Sequence, residues 1–253
     1  MPIVPVSRSF AHQRPRVSRF LLSLLAAVRY PNLQVLATLA GTDKWGEHWY
    51  TQHYQRVFAP FRNRRMNVLE IGVGGYADSL AGAASLRMWK AYFPNSQIVG
   101  IDLYDKSALA EPRIDILQCD QTDEAKLRSI SESYGGFDII IDDGSHLNEH
   151  IIQTFGILFP LLRVPGIYAV EDLQTAYWPS WGGVPGKSAM DFLRSLTDCP
   201  NYSERPAYSP TYFDRFITSV SFFHNLCIIT KDANDERSNA PQLIERELIA
   251  SQP

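Results

Sequence analysis

Between residues 66 and 170 the chain alternates short apolar runs rich in β-branched residues with stretches of helical periodicity, and this alternation narrows the fold more than any other feature. The runs 66–71, 98–103, 114–119, 138–141 and 167–170 read as strands. Helices are predicted from the glycine turn after the first run to about Phe93, over 123–133 and over 148–162. Repeated strand and helix units imply crossover connections and a doubly wound, mostly parallel α/β sheet. Two further runs, 219–223 and 226–230, are separated only by His224-Asn225, too short a link for parallel strands. An antiparallel hairpin is therefore expected to end a seven-stranded sheet.

Ahead of the sheet, residues 1–15 contain Pro2, Pro5 and Pro15 and read as an extended arm. Val17, Phe20, Leu21, Leu24, Leu25 and Val28 then recur at helical spacing, which predicts a helix with one apolar stripe, covered by the main domain or by a second subunit. The arginines before it do not make a secretory signal, because Leu25 and Arg29 spoil the small-residue cleavage pattern. The expected organisation is an N-terminal arm and helical extension, 1–60, followed by one catalytic domain, 61–253.

Composition excludes several classes. The 24 basic and 27 acidic residues are interspersed, so no nucleic-acid footprint is expected. Three scattered cysteines argue against a disulfide framework or a thiolate zinc site and for a reducing cytoplasm. No apolar run approaches the roughly 20 residues that a membrane span needs.

Chemistry concentrates at the ends of the predicted strands. The stretch 137–150, FDIIIDDGSHLNEH, delivers Asp142 and Asp143, then His146 and His150, and the run 167–170 ends in Glu171-Asp172. If those two strands are neighbours, four carboxylates meet, and a hard divalent cation such as Mg²⁺ would resolve the repulsion. Capping and helix N-terminal charge are the structural alternatives for both pairs. Asp142 either replaces Asp143 as a ligand or touches the cofactor, because successive strand residues face opposite ways.

The turn Glu70-Ile71-Gly72-Val73-Gly74-Gly75-Tyr76-Ala77 fits a dinucleotide fingerprint. Glu70 counts against that reading, since a carboxylate there would repel a pyrophosphate. It suits S-adenosylmethionine, whose ammonium Glu70 would meet while Asp102 holds the ribose and Asp120, beside Gln121, accepts from the adenine. Aromatic residues in 177–186 read as a mobile lid over an acceptor, with a loop packed on the surface as the structural alternative, and 202–215 as a further acceptor wall.

In order, LEIGVG, GIDLYD, QCDQTD, FDIIIDDGSH and YAVEDL resemble class I S-adenosylmethionine-dependent methyltransferases, in particular the Mg-dependent sugar O-methyltransferases of the macrolide-tailoring (mycinamicin) type, over roughly residues 40 to 231. The chain also looks like enzymes that O-methylate methylmannose polysaccharide precursors. The resemblance implies a Rossmann-like methyltransferase fold and Asp143, Glu171 and Asp172 as metal ligands. It further implies His146 as the base that deprotonates a metal-bound sugar hydroxyl, and a GTDK turn, with Thr42 and Lys44, near the methionine end of the cofactor. The expected partners are a sugar or oligosaccharide acceptor and a second copy of the chain in a homodimer, with no nucleic acid and no membrane span. Rival readings are a catechol-type diol O-methyltransferase, an NAD(P)-dependent oxidoreductase and a non-catalytic glycan-binding protein.

Overall fold

The computed structural model of the chain describes residues 8–250, which pack as two compact units divided after Ser145. The first unit opens with helices α1 (Arg8–Gln13), α2 (Pro15–Ala27), α3 (Leu33–Ala40) and α4 (Thr51–Phe58). It continues with β1 (Asn67–Ile71), α5 (Ala84–Tyr92), β2 (Gln97–Asp102), β3 (Ile114–Gln118), α6 (Glu124–Ser133) and β4 (Phe137–Asp142). Its strands are all parallel, in the order β3-β2-β1-β4. The central strands are apolar on both faces because helices cover both, as a parallel sheet requires. Tyr54, Phe58, Trp89 and Phe93 stack between α4 and α5 and are fully buried. Each such ring pair contributes about 0.5–1.5 kcal/mol beyond its buried area.

The second unit contains α7 (Asn148–Leu161), β5 (Leu162–Val170), α8 (Ala189–Ser195), α9 (Tyr212–Phe216), β6 (Ile217–Phe223), β7 (Leu226–Lys231) and α10 (Pro241–Ala250). β7 pairs antiparallel with both β5 and β6. The expected hairpin is thus present, and Asn225 takes the left-handed conformation, φ +59°, that a two-residue link demands. Counted over both units there are seven strands, mostly parallel and ending in that hairpin.

One expectation is corrected. Of the predicted extended arm, residues 1–7 lie outside the described residues, but Arg8–Gln13 is helical. Pro15 does not break the chain there because it sits at the first position of α2, where its missing N–H costs nothing. Within the chain the apolar stripe on α2 is covered in part, Leu21 and Leu25 being half-buried. Ser18 and Leu22 are buried, and the Ser18 hydroxyl donates to the Leu39 carbonyl at 2.6 Å, whereas Val17, Phe20, Leu24 and Val28 are exposed. Among the described residues no helix is long and apolar enough to cross a membrane.

Candidate active site

In the first unit the chain runs outward from β1 through β2 to β3 and then returns to β4 on the other side of β1. The carboxyl ends of β1 and β4 therefore open the crevice where ligands of such sheets bind. Ile71 is in register with Asp142, and the Asp143 N–H donates to the Ile71 carbonyl at 3.0 Å. This crossing explains Gly72: at φ +93°, an added Cβ would lie 2.1 Å from the Asp143 carbonyl oxygen. Gly74 differs, being exposed at φ +78° with nothing within 4 Å of where a Cβ would stand.

The loop from Gly72 to Ala83 also disposes of the dinucleotide reading. α5 starts only at Ala84, Ala83 is left-handed with no side-chain cap, and the Ala83 N–H returns to the Val73 carbonyl at 2.8 Å. No helix N-terminus follows the glycines directly, so the pyrophosphate seat of that motif is missing.

Asp102 binds the same loop: Val73 N–H donates to Oδ2 and Tyr104 N–H to Oδ1, both at 2.9 Å. Asp120 is exposed and accepts from the Thr122 N–H and hydroxyl at 2.8 Å each. Gln121 is buried and joins the ends of β3 and β4, accepting from the Ser145 N–H at 2.7 Å and donating to Asp142 Oδ1 at 3.4 Å. Asp142 is itself buried, and its Oδ2 has no hydrogen-bond partner. Burial pushes its carboxyl up to about 7, with Asp143 adding to the rise and the Gly144 N–H and Gln121 opposing it.

Glu70 lies at 0% exposure. The sequence assigns it to a cofactor ammonium; here it faces an ammonium of the chain itself. Lys44 Nζ is 3.2 Å from Glu70 Oε1 and 2.6 Å from Asp143 Oδ2, and the Ser85 hydroxyl donates to Glu70 Oε2 at 2.8 Å. Burial still pushes the Glu70 carboxyl up, against the pull of Lys44. Thr42 is buried in the same turn, and the Lys44 N–H donates to its hydroxyl at 3.5 Å.

In the second unit His146 and Asp172 both adopt left-handed backbone, φ +57° and +54°. For residues other than glycine this costs about 1–3 kcal/mol each and tends to mark functional positions. His146 Nε2 is 3.7 Å from Asp172 Oδ2, and the Trp181 ring is 6.3 Å from the imidazole. Within this unit His146 and Asp172 each offer a ligand atom to a cation. The carboxylate oxygens of Asp172 here and of Asp143 in the first unit are hard donors of the kind Mg²⁺ takes. Glu171, next to Asp172, is buried. His150 is half-buried on α7.

The expected lid, from Tyr177 to Gly186, is pinned by a residue that sequence reasoning passed over. Asn148, buried at the start of α7, donates to the Thr175 and Trp181 carbonyls at 3.2 and 2.8 Å and accepts from the Ala189 N–H at 2.7 Å. Tyr177 and Trp178 remain exposed. The stretch 202–215 is packing for the most part: Phe213 joins Phe155 and Phe159, Tyr208 donates to Asp214 at 2.9 Å, and Tyr202 donates to the Asn234 carbonyl at 3.2 Å.

No family model matches the chain. It is 43% identical over 239 residues to 8-demethyl-8-α-L-rhamnosyl tetracenomycin-C 2′-O-methyltransferase of Streptomyces olivaceus, covering 91% of this chain and 62% of that protein. It is 45% identical over 217 residues to mycinamicin VI 2″-O-methyltransferase of Micromonospora griseorubida, covering 82% and 54%. Among solved structures, MycE methyltransferase from the mycinamycin biosynthetic pathway, in complex with Mg, S-adenosylhomocysteine (SAH) and mycinamycin VI, matches with a TM-score of 0.80 and 44% identity, over 88% of this chain and 60% of that one. The chain thus spans little more than half the length of these relatives. It has the Rossmann-like methyltransferase fold of MycE. Identity above 40% to both relatives, over 82% of the chain or more, makes this protein a homologue of the sugar O-methyltransferases of macrolide and tetracenomycin tailoring.

Proposed function

We propose that the chain is an S-adenosylmethionine-dependent, Mg²⁺-dependent O-methyltransferase acting on a hydroxyl of a sugar within a glycoconjugate. The observation that carries the reading is the pairing of His146 with Asp172, 3.7 Å apart and both in strained left-handed backbone. When bound, S-adenosylmethionine supplies an electrophilic methyl group and a divalent cation lowers the pKa of a nearby hydroxyl.

The chain's own residues do the rest. His146 accepts the acceptor hydroxyl's proton on its imidazole, and Asp172, 3.7 Å away, stabilises the imidazolium that forms. Asp143, Glu171 and Asp172 are the proposed cation ligands, with His146 beside them rather than among them and His150 the second choice of base. Gly72 and Gly74 bring the backbone close to the cofactor, Asp102 meets its ribose, Asp120 and Gln121 its adenine, and Thr42, Glu70 and Asp142 line the methionine side. Trp181, held by Asn148, walls the imidazole from water. The proposed division is an arm and helical extension, 1–60, and a catalytic domain, 61–253. The exposed stripe Val17, Phe20, Leu24 and Val28 supports a homodimer, and the buried free cysteines a reducing cytoplasm.

Relatives named for rhamnosyl and olivosyl substrates favour a glycosylated polyketide over a polysaccharide precursor as acceptor. The test is transfer of labelled methyl groups to a panel of rhamnosyl polyketides, mannosides and catechols. Turnover of rhamnosyl acceptors, abolished in His146→Ala with S-adenosylhomocysteine affinity kept, is expected. Turnover of catechols alone would overturn the sugar reading.

A further inference from the structure

Lys44 is the least expected member of the site. Lysine is rarely buried without a partner, and at 1% exposure this one has its ammonium against two carboxylates, Asp143 Oδ2 at 2.6 Å and Glu70 Oε1 at 3.2 Å. Its backbone is held independently: the Tyr50 and Thr51 N–H groups donate to the Lys44 carbonyl at 3.2 and 3.3 Å, and its own N–H meets Thr42. Glu70 is fixed in turn by Ser85. Asp143 is the more exposed of the two carboxylates, at 24% against 0% for Glu70.

We propose that Lys44 is a resident counter-cation of the metal site, a positioning residue that holds Asp143 when no metal is bound and competes with a divalent ion for it. The inference rests on the reading of Asp143 as a cation ligand. An ammonium a few ångström from a dication repels it strongly in a part-buried site. That repulsion outweighs the small entropic gain from ordering one carboxylate side chain in advance. Lys44 therefore weakens metal binding on balance. Glu70 gives the ammonium a partner to keep when the metal takes Asp143, so the exchange leaves no buried charge alone. Without metal, Lys44 offsets part of the charge of the two carboxylates that it touches.

Calorimetric titration of Mg²⁺ and Mn²⁺ without cofactor tests this on the full chain, comparing wild type with Asp143→Asn, Lys44→Met and the double variant Lys44→Met/Glu70→Gln. Lys44→Met is expected to bind either ion at least tenfold more tightly and, free of metal, to melt at a lower temperature. The double variant should regain the melting temperature, because Glu70 no longer carries a buried charge, yet keep the tighter binding. Equal or weaker binding in both variants would overturn the counter-cation role and leave the Asp143 assignment standing. Wild-type binding that Asp143→Asn does not diminish, or no binding at all, would instead overturn the reading of Asp143 and the proposal with it.

Discussion

Asn148→Ala removes three hydrogen bonds at once. The Thr175 and Trp181 carbonyls lose a donor, and the Ala189 N–H at the first turn of α8 loses its acceptor. Asn148, Thr175 and Ala189 are buried, so water does not replace the lost partners without rearrangement. A buried group left unsatisfied costs about 1–3 kcal/mol, and partial collapse around the smaller side chain recovers some of that. The expected loss is about 3–4 kcal/mol. For a chain of this size each kcal/mol lowers the melting temperature by about 2–4 °C, so a fall of about 6–15 °C is expected in a thermal scan. Hydrogen exchange supplies the local signature, with faster exchange across residues 173–189. KM for the acceptor should rise more than kcat falls, because Trp181 loses its anchor while His146 and Asp172 remain. A melting temperature within about 1 °C of wild type, with unchanged exchange over 173–189, would refute the argument that this side chain pins the segment.

Lys231→Met should lower stability by about 1–3 kcal/mol, because the buried ammonium donates to the Phe159, Pro160 and Leu162 carbonyls at 2.8, 3.1 and 2.6 Å, and while Phe159 keeps the Leu162 N–H and Pro160 the Tyr212 hydroxyl, the Leu162 carbonyl loses its donor. Urea unfolding measures the loss, and a neutral result would show that this carbonyl finds another partner. Gly74→Ala should weaken S-adenosylhomocysteine binding with a stability cost of only about 1–2 kcal/mol, the penalty of left-handed backbone in open space. Gly72→Ala should fail to fold, since its Cβ would meet the Asp143 backbone. Equal behaviour of the two variants in binding and melting would contradict the different reasons assigned to these glycines.

The legible parts of the fold were those with a local cause. Each buried strand is a run of apolar residues that no helix period fits, and a two-residue link between such runs permits only a hairpin. The stripe of α2 was legible as an apolar face, but periodicity does not say what covers it. Ser18, a polar residue, turned out to face α3 because its hydroxyl finds the Leu39 carbonyl. At the site, Asp143, His146 and Asp172 carried a signal as charges at strand ends. The strained backbone of His146 and Asp172 did not, since neither residue type announces a positive φ as glycine does. Lys44 was noticed as a cation in a turn, but its partner Asp143 lies 99 residues away, and Asn148 likewise reaches Trp181 33 residues on. Contacts of that separation leave no spacing to read.

The central claim is tested most directly by transfer of labelled methyl groups from S-adenosylmethionine to a rhamnosyl polyketide, measured before and after EDTA treatment and again with Mg²⁺ restored. The account predicts loss of transfer on chelation and recovery with Mg²⁺, in wild type but not in Asp172→Asn. Transfer that persists through EDTA, or that Asp172→Asn sustains at the wild-type rate, would contradict it.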